Sequence, residues 1–253
     1  MGFPLVYKSD KRYVRNKNII EFDMKSGGYS IAISKGLIKD KKTRLKLKHA
    51  DKKEKQIILG LYAKEHKEFT KSLHKGFQEY VQLFIEENDI ETKSVITINK
   101  DSVLFFGRQP RNVSFDKVLF TKRGSFTSYL KLGRIEFLFN GKTGEKLIKG
   151  IAIDDYTETL LEEVFIIMKM AEFGGKKSVI DYLIELRQAY VNLDLTDNYY
   201  KELSPLGRGY LLKEGYKFNN VYINEMDDEM DISDVDIAYN YKNFIIPLCD
   251  IFV

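Results

Sequence analysis

The chain of 253 residues is 43% hydrophobic and 31% charged, with 17 Gly, 4 Pro and a single cysteine, Cys249. This composition excludes collagen-like, disulfide-framework and low-complexity classes and describes a globular chain able to bury a core. The net charge of +4 conceals a split: residues 1–150 carry 32 basic against 17 acidic side chains, a surplus of +15, while residues 151–253 carry 9 against 20, a deficit of −11. Such asymmetry points to a polyanion as partner of the basic half.

Residues 1–17 are basic and irregular. Ile19, Ile20 and Phe22 then predict a short buried strand that ends at Asp23. Gly27 and Gly28 follow, where the backbone can turn or approach a ligand closely, and Ser30–Ser34 is expected to begin a helix. Residues 39–55 are dominated by lysine, with Arg44 among them, and carry too few apolar groups for a core; they read as solvated or ligand-facing. From Leu59 to Glu87 the spacing predicts one helix. Phe69, Leu73, Phe77, Tyr80 and Phe84 share a face, and Lys64, Lys67, Lys71 and Lys75 fall opposite. A basic stripe of this kind is more commonly a solvated face than a binding surface, and His66 and His74 beside it read as surface residues.

Val95–Ile98 and Val103–Phe106 are β-rich runs flanking Asn99-Lys100-Asp101-Ser102, the pattern of a tight hairpin with an aspartate at its tip. Strands are predicted at 115–120, 126–131, 135–139 and 147–153, with turns at Arg123-Gly124 and Asn140-Gly141-Lys142. Asp155 with Glu158 fits a capping box for a helix that Phe173-Gly174-Gly175 stops, and a second helix is predicted over Ser178–Val191. The acidic run Glu225–Asp231 lacks the glycine and ligand spacing of an EF-hand and reads as a solvated loop. Cys249, among Phe244, Ile245, Ile246, Leu248 and Ile251, reads as a buried, inert thiol, which suits a reducing compartment. No leader-like segment or run of 18 apolar residues occurs, so a cytoplasmic chain with no membrane partner is expected. The predicted fold class is α+β: a basic α+β domain over 1–153 and an acidic, mainly helical region over 154–253.

Two features could combine into a site. Asp23 ends a buried strand, followed by Ser26, Gly27, Gly28, Tyr29 and Ser30, and Asp101 sits at a hairpin tip. Two-metal phosphoryl transfer requires carboxylates from separate elements to converge on paired ions, and a sheet can hold them in register. The flanking basic segments would then face phosphate.

The pair of motifs resembles the palm of template-dependent nucleic-acid polymerases, especially family B and its phage members. There a motif D-x-x-S-L-Y-P-S follows a strand and a D-T-D-S motif lies on a hairpin. Asp23-Met-Lys-Ser26-Gly-Gly-Tyr29-Ser30 matches the first at its Asp and both Ser positions; Asn99-Lys100-Asp101-Ser102 matches the second at its final Asp and Ser; Lys149-Gly150-Ile151 is similar to the K-G-I/V turn beyond the palm hairpin. The resemblance covers roughly residues 18–151. It implies a palm-like antiparallel sheet and a nucleotidyltransferase acting on DNA or RNA in the host cytoplasm. Asp23 and Asp101 would be catalytic ligands of two Mg²⁺ or Mn²⁺ ions. Ser26, Gly27, Gly28, Tyr29, Arg44, Lys64, Lys67, Lys71 and Lys149 would contact nucleotide or phosphate. The match is partial: Gly28 takes the place of the aromatic that checks the sugar, Asn99 replaces the first acid of D-T-D-S, and no full K-x-x-x-N-S-x-Y-G helix is present. A minimal, split or degenerate palm is what this implies.

Two other readings stand beside it. One is a non-catalytic nucleic-acid-binding protein whose basic half tracks phosphate while Tyr and Phe stack on bases. The other is an interaction protein whose acidic half docks on a second subunit or on the basic half of another copy. No H-E-x-x-H, P-loop, G-x-S-x-G or Cys/His cluster points to other chemistry.

Overall fold

The computed structural model describes residues 2–151, 158–200, 216–218, 221–223 and 240–252. The predicted cap at Asp155 and the acidic run 225–231 lie outside the described residues. In chain order the strands are β1 Val6–Lys8, β2 Tyr13–Val14, β3 Ile19–Met24, β4 Val95–Asn99, β5 Ser102–Phe106, β6 Ser114–Phe115, β7 Val118–Phe126, β8 Ser128–Leu132, β9 Ile135–Phe139, β10 Lys146–Lys149, β11 Tyr216–Phe218 and β12 Val221–Ile223. The α-helices are α1 Gly27–Ser34, α2 Lys41–His49, α3 Lys52–Glu65, α4 Lys67–Glu87, α5 Glu158–Phe173, α6 Gly175–Val191 and α7 Ile246–Phe252, the last preceded by a π-turn over Tyr241–Ile245. The chain is α+β, as its patterning predicts. It forms two compact units, Met1–Asp10 with Lys17–Ser125, and Lys11–Asn16 with Phe126–Val253.

The first unit is a six-stranded sheet in the order β1-β4-β5-β3-β7-β6. Alternation along β3 sends Ile20, Phe22 and Met24 into the core and Ile19, Glu21 and Asp23 to the other face. The helix α4 covers the core face with most of the predicted stripe: Phe77, Tyr80 and Phe84 are buried there, Leu73 is half-buried, and Lys67, Lys71 and Lys75 are exposed. Phe84 is the hub, its ring 4.3 Å from Phe120 and 5.4 Å from Phe22 between centroids. At Gly76 the backbone of α4 closes on α1, since a Cβ there would lie 2.4 Å from Ile31 Cγ2. Ile31 is fully buried, and Cγ2 is a methyl fixed on its branched Cβ, so it can yield only by turning the whole side chain within the core. Gly76→Ala is therefore expected to destabilise by about 2 kcal/mol in a denaturant melt, although alanine is the better helix former.

The structure revises several local expectations. Leu59–Glu87 is two helices, not one: His66, at φ −125 and ψ 87, leaves helical geometry, and its ring stacks on Tyr62 with centroids 3.9 Å apart. The lysine-rich segment is helical, because Asp40 accepts from the Lys42 and Thr43 amides and Asp51 forms a capping box with Glu54. Leu47 docks it, in a small cluster with Leu59 and Tyr62 of α3, Phe69 of α4, Ala32 and Ile38. The two glycines, expected at a turn, open α1. The strand expected over 115–120 is broken at Asp116, which takes φ +51. The turn expected at Arg123-Gly124 lies inside β7, where the Arg123 side chain is held by β3 and the backbone stays extended.

The second unit is a four-stranded antiparallel sheet, β10-β9-β8-β2, whose core is shared with α5, α6 and α7. Arg15 Nη1 donates to Ala171 O at 2.7 Å, placing a cation on the carbonyl end of α5. Buried Glu163 accepts from the hydroxyls of Tyr182 and Tyr199, and burial together with that carboxylate pushes both phenols well up. Cys249 is half-buried and burial pushes its thiol up, in keeping with an unreactive side chain. Among the described residues no helix is long and apolar enough to cross a membrane.

Candidate nucleotidyl-transfer site

Sheet register builds the site. Asp23 lies opposite Ser102 in the β3–β5 ladder, so the two-residue tip Lys100-Asp101 projects one step beyond it. Met24 N donates to Asp101 O at 2.9 Å and fastens the tip to the end of β3. Lys100 takes φ +54 to make the reversal. The chain leaves β3 through Ser26, itself left-handed at φ 52 and ψ 46, and enters α1 at Gly27. A Cβ on Gly27 would stand 3.0 Å from Phe77 Cε1, 3.1 Å from Met24 Cβ and 3.2 Å from Asp101 Cβ. A glycine is what lets the hairpin tip, the strand end and α4 meet there.

The two carboxylates share a pocket of about 160 Å³ with Ser26, Gly27, Gly28, Tyr29 and Arg123, and with Lys52, Lys55, Gln56 and Leu59 of α3. Lys55 Nζ sits 4.6 Å from the centre of the Tyr29 ring. Burial, and after it the negative charge of Asp23, pushes the Asp101 carboxyl above the usual carboxylate range; Lys100 and Arg123 offset part of this. Asp23 carries its own counter-charge: Arg123 donates from Nε at 2.9 Å and from Nη2, both to Oδ2. A larger cleft of about 1230 Å³ lies at the opposite end of β3 and β5, between Lys17-Asn18 and the 107–112 loop. Its walls mix Lys17, Lys93, Arg108 and Arg111 with Glu87, Asp89 and Glu91, and no single ligand charge follows from them.

Of the residues singled out in the sequence, Asp23, Asp101, Ser26, Gly27, Gly28 and Tyr29 come together at this pocket. Arg44, Lys64, Lys67 and Lys71 do not line it: all four are exposed, on α2, at the end of α3 and on the outer side of α4. Lys149 belongs to β10 in the second unit. Sequence reasoning missed Arg123 and Gln56, and marked Lys52 and Lys55 only as members of the solvated or ligand-facing segment 39–55. The alternation Leu119, Thr121, Arg123 in β7 could have placed Arg123 on the Asp23 face only if the β3–β7 neighbourhood had been known.

The metal-type donors lining the pocket are the two carboxylates, Asp23 and Asp101. Among the described residues no group of three or more His, Cys, Asp or Glu side chains gathers. Two carboxylates are nevertheless the usual protein share of a Mg²⁺ site, which keeps waters and substrate phosphate oxygens for its other positions. The like-charge repulsion that raises Asp101 is what a cation held between the pair would relieve.

A family model described as the bacteriophage PBS1 gene 130 protein matches residues 6–253, all but the first five positions. The chain belongs to that family. Membership supports a phage origin, and the match spans both compact units rather than the candidate site alone. No curated protein matches the chain.

Proposed function

We propose that the first unit is a polymerase-type palm, a nucleotidyltransferase site acting on nucleic acid in the cytoplasm of the phage host. The observation that carries this is the convergence of Asp23 and Asp101, from a strand end and a hairpin tip, on one pocket that α3 lines with lysines. Asp23 and Asp101 would hold Mg²⁺ or Mn²⁺, two ions in the two-metal scheme, and the metal, when bound, supplies Lewis-acid stabilisation of the attacking and leaving oxygens. Lys52 and Lys55 neutralise a triphosphate entering beside the carboxylates, and the first-turn amides of α1 at Gly27 and Gly28 add the positive end of a helix dipole. Leu59 and the Tyr29 ring give the pocket its apolar wall.

Extension of a primed template tests the reading, with deoxynucleotide and ribonucleotide sets and with Mg²⁺ or Mn²⁺. Product that EDTA abolishes carries it. The alternative, a non-catalytic nucleic-acid-binding protein, is favoured by one observation: Asp23 already has an arginine partner, and the exposed cations of α2 and α3 (Lys41, Lys42, Arg44, Lys46, Lys48, Lys53) lie outside the pocket. Binding that weakens steeply with salt, ignores EDTA and yields no product would select it.

A further inference from the structure

The candidate site contains a cation of its own. Arg123 reaches across from β7 and places two N–H donors on a single oxygen, Asp23 Oδ2. Glu21 and Asp101 also attract its charge, so the guanidinium is held by three carboxylates and bonded to one. The Asp23 side chain is 18% exposed and that of Arg123 is 51% exposed, so the arginine can swing into solvent without opening the core.

We infer that Arg123 is an electrostatic latch on Asp23, a positioning residue that competes with divalent metal for the carboxylate and must release Oδ2 before the site loads. The inference rests on the metal-binding reading proposed above. An oxygen engaged by two charge-assisted hydrogen bonds has little electron density to offer a metal, and its negative charge is already balanced. Arginine keeps its proton throughout the working pH range, so the latch does not open by titration. It opens when a cation outbids it for Asp23. The metal-free protein is thereby spared two adjacent uncompensated carboxylates, at the expense of metal affinity.

Mn²⁺ binding to the full chain, followed by electron paramagnetic resonance without nucleotide, tests this. Arg123→Gln removes the charge and keeps a polar side chain, and it is expected to bind Mn²⁺ about tenfold more tightly than wild type, the range of a typical coupling between charged sites. Arg123→Lys keeps the charge and is expected to stay nearer wild type. Asp23→Asn in the Arg123→Gln background should return the affinity to wild-type level or below, which places the ion at Asp23. Equal or weaker binding by Arg123→Gln overturns the latch while leaving the metal site standing, and so does an Arg123→Lys protein that binds as tightly as Arg123→Gln. Absence of Mn²⁺ binding in wild type and both variants, with unchanged circular dichroism, overturns the latch and the metal-binding reading together.

Discussion

Asp23→Ala and Asp101→Ala are each expected to lower nucleotide incorporation by about 10³-fold or more, the loss typical of removing one preorganised electrostatic group from a reacting centre. The double variant should be little worse than either single one, because residues that act as a unit do not contribute additively. Stability separates this from a structural role. Asp101 is partly buried beside a second carboxylate, and both burial and Asp23 oppose its charge. Asp101→Asn should therefore raise the metal-free protein's stability at neutral pH by about 1 kcal/mol while abolishing incorporation, a gain of the size seen when a site residue kept for function is neutralised. A structural aspartate would lose both together. Thermal melts and primer extension on the same preparation give the comparison, and a destabilised, fully active Asp101→Asn protein would refute the assignment.

Phe84→Ala is expected to cost about 4 kcal/mol and to lower the melting transition of the first unit by roughly 15 °C, read by calorimetry. Phe84 is fully buried and its ring meets those of Phe22, Phe105, Phe115 and Phe120. Truncation leaves a cavity under the two strands that carry the candidate carboxylates, since Phe22 belongs to β3 and Phe105 to β5. Loss of activity should follow the loss of fold on heating rather than precede it. The second unit's core, built around Phe137, Phe165 and Tyr190, shares no residue with this cluster, so its own transition should stay in place.

Several elements were legible in the sequence because their signals are local. The stripe Phe69, Phe77, Tyr80, Phe84 repeats at helical spacing, and the helix it predicts covers the sheet with Phe77, Tyr80 and Phe84, while Phe69 packs among the helices. The hairpin around Lys100-Asp101 and the strand ending near Asp23 were readable from short runs of β-branched and aromatic residues bounded by polar groups. The break at His66 was not legible: Lys64 to Lys71 keeps helical periodicity through it, and only the structure shows His66 leaving helical geometry with its ring stacked on Tyr62. The helical character of the lysine-rich segment was masked by its charge, although Asp40 and Asp51 stand where N-caps belong.

By itself the sequence determined the α+β class, the basic first half, and two aspartates at the ends of apolar strands, because period, capping and turn chemistry act over a few neighbouring residues. Only the tertiary structure decided that these aspartates face one pocket, that Lys52 and Lys55 line it while Lys67 and Lys71 do not, and that Arg123 grips Asp23 from 100 residues away. Those contacts follow from the strand order β5-β3-β7 and from where α3 docks, and long-range neighbourhoods of that kind leave no periodic trace along the chain.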